Sequence, residues 1–420
     1  MQVAVLGAGV SGLTVARRLQ AAGMSVTVYE KDKNIGGLAK TRTTGGYVYD
    51  IHGGHIFNSK NKEVLDWVFS LLPKSKWRFN IRNAKIFFDG KTVSYPFELA
   101  LPEIQPDKAA SYLLDLISSR QGKEPSNFRD WLIWNFGKGI AESYMLPYNS
   151  KIWAYPLEDM ETGWISGKMP VPDNLEILKA FVQKNPSERK MVHSTFYYPL
   201  KGGIQTMVNA IADGLIVLRG QGVYSCKKVK NKWLINGKDV YDLVISTIPL
   251  PELNMVMSMP KPVSGAIKDL KYNSLTTVLF SCPKTDISWL YIPDKKYPVH
   301  RVGYQSALTP FAVPSGAAGS GALEIIGPQF VPKQNVLKKL PKELKAKKML
   351  DWQFTQYAYV IHDKNYSKNT GIVKKYFASK SDFFLLGRWG LWNYRNMDLC
   401  MKDAFDLAQK ITDKYANRNS

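Results

Sequence analysis

The sequence QVAVLGAGVSGL at residues 2–13 decides the fold of the N-terminal part of the chain. An apolar run leads into a Gly-x-Gly-x-x-Gly pattern, an amphipathic segment follows to Ala22, and a second apolar run, SVTVYE, ends at Glu30. This order predicts a strand, a tight turn, a helix and a second strand. The three glycines suit a dinucleotide, because they allow a sharp turn, a close approach of the pyrophosphate to the backbone, and tight packing of helix on strand. The helix N-terminus would face the phosphates, and the Glu30 carboxylate would accept the ribose hydroxyls.

The residues after this motif help to choose between cofactors. The motif alone fits either NAD or FAD, and a glycine turn that binds nothing is the plain alternative. The continuation KDKNIGGL at residues 31–38 looks like the E-x(5)-GG extension of many flavoproteins, whose glycines pass near the flavin diphosphate, and it favours FAD. The candidate cofactor-binding residues of this region are Gly7, Gly9, Ser11, Gly12, Glu30, Lys31, Gly37 and Leu38.

Composition is that of a globular protein. The 420 residues are 45% hydrophobic and 12% aromatic, and this length predicts about two to three domains. The three cysteines lie far apart, which argues against a disulfide framework or a metal site and suits a reducing cytosol. Residue 1 leads directly into a strand, and no apolar run reaches the length of about 18 residues that a membrane span needs. We therefore expect a cytoplasmic protein with no signal peptide and no transmembrane segment.

The net charge of +22, from 57 Lys+Arg against 35 Asp+Glu, has three interpretations. A nucleic-acid partner has the least support, because the sequence contains no recognised nucleic-acid module and no dense basic run flanked by aromatic residues. An anionic small substrate, steered by the positive field, is the second. A lysine-rich solvated surface is the third and needs no function. We expect no nucleic-acid partner.

A second glycine-rich stretch, IHGGHIF at residues 51–57, is also a candidate for a functional role. We call it the histidine stretch. Two glycines beside a histidine predict a backbone that lies very close to something flat, and a loop against a flavin ring fits this. A glycine bulge with His55 as an ordinary, hydrogen-bonded polar residue is the alternative. A functional role is favoured because two of the five histidines lie here. His55 and Ile56 therefore join the candidate cofactor-binding residues.

The rest of the chain divides into helix-like and strand-like segments. Helices are predicted over residues 61–73, 109–119, 127–135, 140–146, 204–212, 333–350 and 398–415. Strands are predicted within residues 76–97, 223–229, 232–235, 240–248, 274–328, 356–361 and 383–388. Pro147 is expected to close the helix over residues 140–146, and residues 162–195 are expected to be irregular. The lysines around residues 333–348 are expected on an exposed helix.

These segments predict an α/β fold with three parts. A Rossmann-like FAD-binding domain would be assembled from residues 1–85, 200–250 and 370–420, so that the termini meet in it. An inserted helical domain would span residues 100–165. An antiparallel β-sheet domain that binds substrate would comprise residues 86–99, 166–199 and 251–369.

Several stretches, taken in order, resemble the UDP-galactopyranose mutase family over most of the chain. Besides the N-terminal motif and residues 51–57, they are GIAESYMLPYNSKIWA at 139–154, FYYPLKGG at 196–203, WLY at 289–291, PVHR at 298–301 and GRWGLWNY at 387–394. The ordered set is much more specific than any single motif. The PYNxKxWA string is closer to the eukaryotic-type branch of this family, which lies within the wider amine oxidase and protoporphyrinogen oxidase-like flavoproteins.

The resemblance implies an isomerase that interconverts the pyranose and furanose forms of UDP-galactose in cell-surface glycan biosynthesis. FAD would be active in its reduced state, without net redox change, and an external reductant such as NAD(P)H would supply the electrons. In the family mechanism, N5 of the reduced flavin attacks the anomeric carbon and UDP leaves; the sugar opens as a flavin iminium, recloses in the other ring size and recaptures UDP. The partner is a UDP-sugar. UDP-N-acetylgalactosamine and UDP-arabinose stay open as substrates, as does an oligomeric state.

The resemblance also implies roles for individual residues. Arg301 aligns with a family arginine that serves the pyrophosphate, and a fixed cation there would stabilise the departing UDP. Lys168 stands where the family usually has a second arginine, and it keeps the charge but loses the two-pronged geometry. With His55, these two are the catalytic candidates. The implied substrate-binding residues are Tyr95, Asn149, Trp153, Trp289, Tyr291, Tyr366 and Tyr394. The implied flavin contacts near the C-terminus are Gly387, Arg388, Asn396 and Met397.

Two other functions compete with the mutase. An FAD-dependent oxidoreductase of the amine oxidase or protoporphyrinogen oxidase type would share the scaffold, but it would not need Arg301, Lys168 and paired tyrosines directed at a diphosphate. A non-catalytic flavoprotein is the third possibility, and the histidine stretch and the PYNxKxWA string argue against it.

Overall fold

The computed structural model describes residues 1–165, 169, 173–184, 194–329, 332 and 334–416. The strands are β1 (Gln2–Leu6), β2 (Ser25–Glu30), β3 (Thr41–Thr44), β4 (Tyr47–Asp50), β5 (Trp77–Ile81), β6 (Ala84–Phe88), β7 (Lys91–Ser94), β8 (Thr195–Pro199), β9 (Ile216–Arg219), β10 (Cys226–Val229), β11 (Lys232–Ile235), β12 (Asp239–Tyr241), β13 (Leu243–Ser246), β14 (Lys271–Cys282), β15 (Trp289–Tyr291), β16 (Arg301–Gly303), β17 (Gly319–Ile326), β18 (Lys348–Ile361) and β19 (Phe383–Leu385). The helices are α1 (Val10–Ala21), α2 (Lys62–Leu71), α3 (Pro106–Ile117), α4 (Phe128–Ile140), α5 (Leu146–Trp153), α6 (Asn174–Val182), α7 (Gln205–Ala212), α8 (Leu250–Val256), α9 (Lys261–Asp269), α10 (Gln305–Leu308), α11 (Tyr366–Ala378), α12 (Gly387–Gly390) and α13 (Met397–Ala416).

β1 lies at the centre of a five-stranded parallel sheet with the order β19-β13-β1-β2-β9. Its alternate residues enter two different cores. Val3 and Val5 pack with residues of α1 and α13 on one face, whereas Ala4 and Leu6 join residues of α8 and α9 on the other. Because both faces of the sheet are covered, β1 is a continuous apolar run rather than an alternating one. The carboxyl end of β1 leads directly into the glycine turn and α1.

The second large sheet has seven strands in the order β18-β14-β17-β16-β15-β6-β7. Neighbouring strands pair antiparallel, as predicted, except that β6 and β15 run parallel. A long stretch of chain separates these two strands, so no hairpin forces them to run in opposite directions. The β15–β16 hairpin sets Tyr291 directly opposite Arg301.

The helices α3, α4 and α5 form a segment between the strands β7 and β8. A π-helical turn, Ala141–Met145, joins α4 to α5. The prediction that Pro147 closes a helix is wrong, because α5 begins at Leu146 and continues to Trp153. Proline is tolerated in a first helical turn, where its missing N–H would have no intrahelical partner. The string YNSKIW is therefore helical.

Lys151 of this string joins α5 to the seven-stranded sheet. Its Nζ donates hydrogen bonds to the carbonyls of Ile292, Asp294 and Val299, at 2.6, 3.0 and 2.6 Å. These carbonyls lie in the loop between β15 and β16, and β16 begins with Arg301. The lysine thus holds the loop that precedes Arg301.

Two further secondary-structure predictions are wrong. Residues 334–350 form 3-10 turns and the first residues of β18 instead of a helix. Val336, Leu340 and Leu344 are spaced like one face of a helix and are buried together, but Pro341 between them cannot donate an intrahelical hydrogen bond. The segment over residues 162–195 contains α6 among its described residues. The helices α8, α9 and α11 were not predicted.

Three further observations concern the described residues only. Cys226, Cys282 and Cys400 are buried free thiols. Within these ranges of the chain, no helix has the length and apolar character needed to cross a membrane. No cluster of three or more His, Cys, Asp or Glu side chains that could hold a metal ion occurs there either.

Candidate active site

A cavity of about 720 Å³ lies at the carboxyl ends of β1 and β2. The glycine turn, the end of β2, residues 36–40 and the start of α13 surround it. We call it the cofactor cavity. Of the predicted cofactor residues, those that line it are Gly7, Gly9, Ser11, Glu30, Lys31, Gly37, Leu38, His55, Arg388 and Met397.

The glycines of the turn are required for different reasons. Gly7 has φ +98°, and a Cβ there would lie 2.6 Å from Thr247 Oγ1. A Cβ at Gly12 would lie 2.0 Å from the Gly7 carbonyl oxygen, so helix and turn can only approach this closely with glycine. A Cβ at Gly9 would meet only the Gly37 Cα, at 3.8 Å, and would otherwise point into open space. The backbone at Gly9 is thus accessible from the cavity, and this opening in front of a helix N-terminus fits a dinucleotide diphosphate.

Glu30 connects the end of β2 to the glycine turn. Its Oε2 accepts a hydrogen bond from the Ala8 N–H at 2.9 Å, and its Oε1 accepts one from the Asp32 N–H at 3.0 Å. A carboxylate has about four acceptor positions, so two neutral donors leave capacity for ribose hydroxyls. Lys31, next to it, forms a salt bridge with Glu252 at 2.7 Å.

The C-terminal part of the chain closes the cofactor cavity. A Cβ at Gly387 would lie 2.3 Å from Ser11 Oγ, so α12 rests against the start of α1. Arg388 donates from Nε and Nη2 to the Arg395 carbonyl, at 3.0 and 2.7 Å, and its guanidinium lies 5.0 Å from the centre of the Tyr394 ring. The guanidinium therefore holds the loop before α13 in place.

A second cavity, of about 170 Å³, adjoins the first, and we call it the substrate cavity. Residues from the histidine stretch, β18, the loop before α13 and Arg301 line it. The residues that line both cavities are Leu38, His52, His55, Arg388 and Met397. The candidates that line only the substrate cavity are Ile56, Arg301, Tyr394 and Asn396.

The two histidines at the junction of the cavities are neutral near pH 7. Burial, followed by the nearby Arg388 charge, lowers the pKa of His55 to about 4. Burial, followed by His55, lowers the pKa of His52 to about 3. His55 Nδ1 lies 2.7 Å from the Gly53 carbonyl, which can only accept, so Nδ1 carries the proton and Nε2 a lone pair. His52 Nδ1 lies 2.5 Å from Thr355 Oγ1.

Arg301 is a fixed cation in the substrate cavity, which Arg388 also lines. Its Nε and Nη2 donate to the two carboxylate oxygens of Glu324, at 3.1 and 2.6 Å. Glu324 is fully buried, with 0% exposure. Burial alone would lower the pKa of Arg301, but the Glu324 carboxylate raises it well above its usual range, so the guanidinium is charged. A two-pronged pair of this kind fixes orientation as well as charge.

An aromatic cluster continues from Arg301 through Tyr291. Tyr95 and Tyr291 stack with ring centres 5.0 Å apart, and Tyr148 meets Tyr291 edge-on at 5.4 Å. Arg82 donates from Nη2 to Tyr291 Oη at 2.5 Å, and its guanidinium lies 5.1 Å from the Tyr95 ring centre and 5.5 Å from that of Trp289. The structure thus brings together the three predicted aromatic residues Tyr95, Trp289 and Tyr291, which line neither cavity. It adds Arg82 and Tyr148, which the sequence did not single out.

Tyr359 and Tyr394 form a wall of the substrate cavity. Their ring centres lie 5.8 Å apart, and both line the substrate cavity. Trp153 packs edge-on against both rings, at 6.2 Å, from behind. Tyr359 was missed because it lies inside β18 without a motif of its own. The only available signal was its position two residues after Tyr357 in an alternating strand.

Two predicted substrate-binding residues and one catalytic candidate, Lys168, have other outcomes. Tyr366 is buried outside both cavities: its hydroxyl donates to the Trp392 carbonyl at 2.8 Å. Asn149 uses its side chain within α5, donating to the Met145 carbonyl at 2.8 Å and accepting from Trp153 Nε1 at 3.2 Å. Tyr366 and Asn149 thus line neither cavity, and their assignment to the substrate stays a prediction. Lys168 lies outside the described residues.

The fold and the two adjoining cavities are accompanied by a match to a family of flavoproteins. A family model described as flavin containing amine oxidoreductase matches residues 10–296. This match covers more than half of the chain, and the chain belongs to that family.

The more particular similarity is to UDP-galactopyranose mutases. The UDP-galactopyranose mutase of Mycoplasma pneumoniae is 25% identical over 168 residues, which are 37% of this chain and 41% of that protein. The probable UDP-galactopyranose mutase of Klebsiella pneumoniae is 25% identical over 223 residues, which are 50% of this chain and 53% of that protein. The matched stretches thus span about half, or less, of the length of these curated relatives.

A solved structure extends the likeness to the whole chain. A crystal structure of reduced UDP-galactopyranose mutase has a TM-score of 0.87 and 21% identity, over 98% of this chain and 95% of that chain. At this identity the match shows a shared fold. The fold class and the family resemblance read from the sequence are confirmed.

Proposed function

We propose that this protein is a flavin-dependent nucleotide-sugar mutase that interconverts UDP-galactopyranose and UDP-galactofuranose. The observation that carries the proposal is the junction of the two cavities. Five residues line both cavities, and the smaller one contains a charged, fixed arginine. A cofactor in the larger cavity would therefore border on a substrate whose phosphates face Arg301.

The residues around the larger cavity would hold FAD. The diphosphate would approach the open backbone at Gly9 and the N-terminus of α1, and Glu30 would accept the ribose hydroxyls. When bound and reduced, FAD would supply the nucleophile that attacks the anomeric carbon of the sugar. An external reductant, for which NAD(P)H is the candidate, would keep it in that state.

Arg301 would hold the diphosphate of the substrate and stabilise UDP as a leaving group. Its orientation is fixed by Glu324 before substrate arrives, so little reorganisation is needed when negative charge develops. The hydroxyls of Tyr359 and Tyr394 would donate to the same phosphates. The neutral His55, with its Nε2 lone pair, would accept a hydrogen bond without competing with Arg301 for negative charge.

The stacked rings of Tyr95 and Tyr291 would form the far wall of the nucleotide-sugar site. Tyr291 lies opposite Arg301 in the β15–β16 hairpin, so a ligand held by the arginine would reach these rings. Amine or porphyrinogen oxidation on the same scaffold does not account for this cation. We therefore favour the mutase, acting on a UDP-sugar for cell-surface glycan synthesis, and we propose that it works in the cytoplasm.

An anaerobic turnover assay tests the proposal. The purified protein is reduced with dithionite and mixed with UDP-galactofuranose, and the nucleotide sugars are separated by anion-exchange chromatography. We expect UDP-galactopyranose from the reduced protein and none from the oxidised protein. Parallel reactions with UDP-N-acetylgalactosamine and UDP-arabinose identify the sugar. If none of the three UDP-sugars is converted by the reduced, flavin-loaded protein, the proposal is wrong.

A further inference from the structure

Asp50 is a fully buried carboxylate at the end of β4, two residues before His52 and five before His55, which both line the two cavities. Its Oδ1 accepts hydrogen bonds from Thr41 Oγ1 at 2.7 Å and Tyr198 Oη at 3.0 Å. Its Oδ2 accepts one from the His55 N–H at 3.1 Å. The Ile204 N–H also donates to it. Asp50 therefore joins β3, β8 and the start of α7 to the backbone of the histidine stretch.

These four donors are neutral, and among the residues that the structure describes no salt bridge involves Asp50. A buried carboxylate without a cation is costly, and burial raises the pKa of Asp50 to about 6 in spite of the four hydrogen bonds. A carboxylate nevertheless suits the position, because it is the side chain that can accept four hydrogen bonds at once.

Two glycines of the histidine stretch have further close neighbours. Gly53 has φ +86°, and a Cβ there would lie 3.2 Å from Glu324 Oε2, while a Cβ at Gly54 would lie 3.6 Å from Trp289 Nε1. The backbone from Gly53 to His55 thus has packed neighbours at both glycines as well as the hydrogen bond to Asp50.

We propose that Asp50 is a positioning residue: by accepting the His55 N–H, it fixes the histidine stretch at the junction of the cofactor and substrate cavities. The proposal deepens the proposed function, on which its kinetic part rests. Asp50 itself lines neither of these cavities, and it would act only through His55.

Three variants separate this role from general packing. Asp50→Leu removes every acceptor, whereas Asp50→Asn keeps a carbonyl for the His55 N–H and can turn its amide nitrogen to the two hydroxyls. Tyr198→Phe is the matched control, because it removes one hydroxyl donor to Asp50 and leaves the hydrogen bond from the His55 N–H in place. We expect Asp50→Leu to shift the visible absorption of bound FAD and to lower kcat at least tenfold with KM within threefold. Asp50→Asn and Tyr198→Phe should keep the spectrum and a kcat within threefold of wild type.

The flavin spectrum does not depend on mutase activity, so the positioning role can fail or hold separately from the proposed reaction. An unchanged spectrum in folded Asp50→Leu overturns the proposal, as does an equal change in all three variants. If Asp50→Leu does not fold, the wild-type protein decides. Selective ¹⁵N labelling of its five histidines gives few amide signals, and His55 is assigned by its loss in His55→Gln.

The His55 amide should shift with a midpoint near pH 6 as Asp50 titrates, and this shift should be absent in Asp50→Asn. The titratable partners on the packed elements do not interfere. Burial and the Asp50 charge raise the pKa of Tyr198 well above its usual range, and His55 titrates at about 4. A His55 amide with the same pH dependence in the wild-type protein and in Asp50→Asn overturns the assignment.

Discussion

The pair formed by Arg301 and Glu324 gives the sharpest prediction of the site. Replacing Arg301 with lysine keeps one positive charge but loses the two parallel hydrogen bonds to Glu324, at 3.1 and 2.6 Å, that fix its orientation. The ammonium would then be drawn to the carboxylate instead of the phosphates. Losing one preorganised electrostatic contact to a leaving group lowers kcat by about 10²–10³-fold, or about 2.7–4 kcal/mol of transition-state stabilisation. We expect Arg301→Lys to fall in this range with a smaller change in KM.

The structure also shows why alanine is a poor choice at this position. Arg301→Ala would leave the fully buried Glu324 carboxylate without its cation. Removing one partner of a buried pair costs about 3–5 kcal/mol of folding stability, so lost activity in that variant could reflect unfolding. Combining Arg301→Ala with Glu324→Gln removes the unpaired charge. The double variant should be more stable than Arg301→Ala but equally inactive.

The assay is turnover of UDP-galactofuranose by the dithionite-reduced protein, with flavin absorption recorded for every variant. Arg129→Lys is the control, since Arg129 is exposed on α4 and pairs with Asp130 at 2.9 Å. It should change kcat by less than twofold. If Arg301→Lys keeps kcat within threefold of wild type, the reasoning about a fixed guanidinium is refuted.

Five other variants, two of them controls, test the rest of the site and its support. Gly9→Val would fill the space in front of α1, so the protein should purify without flavin absorption, whereas Gly265→Val, with open space around it, should keep its flavin. Tyr359→Phe should lower kcat/KM about tenfold by removing a phosphate donor, while Tyr366→Phe should leave the kinetics unchanged and lower the free energy of unfolding by about 0.5–1.5 kcal/mol through one lost hydrogen bond. Lys151→Met leaves three carbonyls without their donor and should lower the free energy of unfolding, measured with urea, by about 1–3 kcal/mol for each carbonyl that stays buried.

The sequence predicted the parts of the site where the backbone geometry of the turn requires a particular residue type. Gly7 and Gly12 need glycine because of contacts within the turn and with the adjacent β13 end, and such needs recur wherever a strand, a tight turn and a helix follow one another. The fold class follows from the same order of strand, turn and helix. This order is enough to predict a dinucleotide-binding turn there.

The site residues that the sequence did not predict depend on which side chains of a strand face the cavity and on contacts between distant parts of the chain. Tyr359 and Tyr366 are seven residues apart in the chain, but the first lies in β18 and the second begins α11. The sequence predicts a strand over residues 356–361, but the strand pattern does not show that Tyr359 faces the substrate cavity. Arg82 was missed for a related reason: it lies between β5 and β6, and only the long-range pairing of β6 with β15 brings it to Tyr291.

The buried carboxylate of Glu324 contacts two separate parts of the site. The same carboxylate holds Arg301 through two hydrogen bonds and lies so close to Gly53 that a Cβ there would be 3.2 Å from its Oε2. The glycine of the histidine stretch and the arginine of the substrate cavity are therefore required by one buried group. The Glu324 carboxylate is in place before any ligand binds. The free energy needed to orient the Arg301 guanidinium is therefore part of folding and does not weaken binding. The distance from the cofactor cavity to the cation is thus fixed by the core of the protein, which suits the proposed cleavage of a bond to a diphosphate.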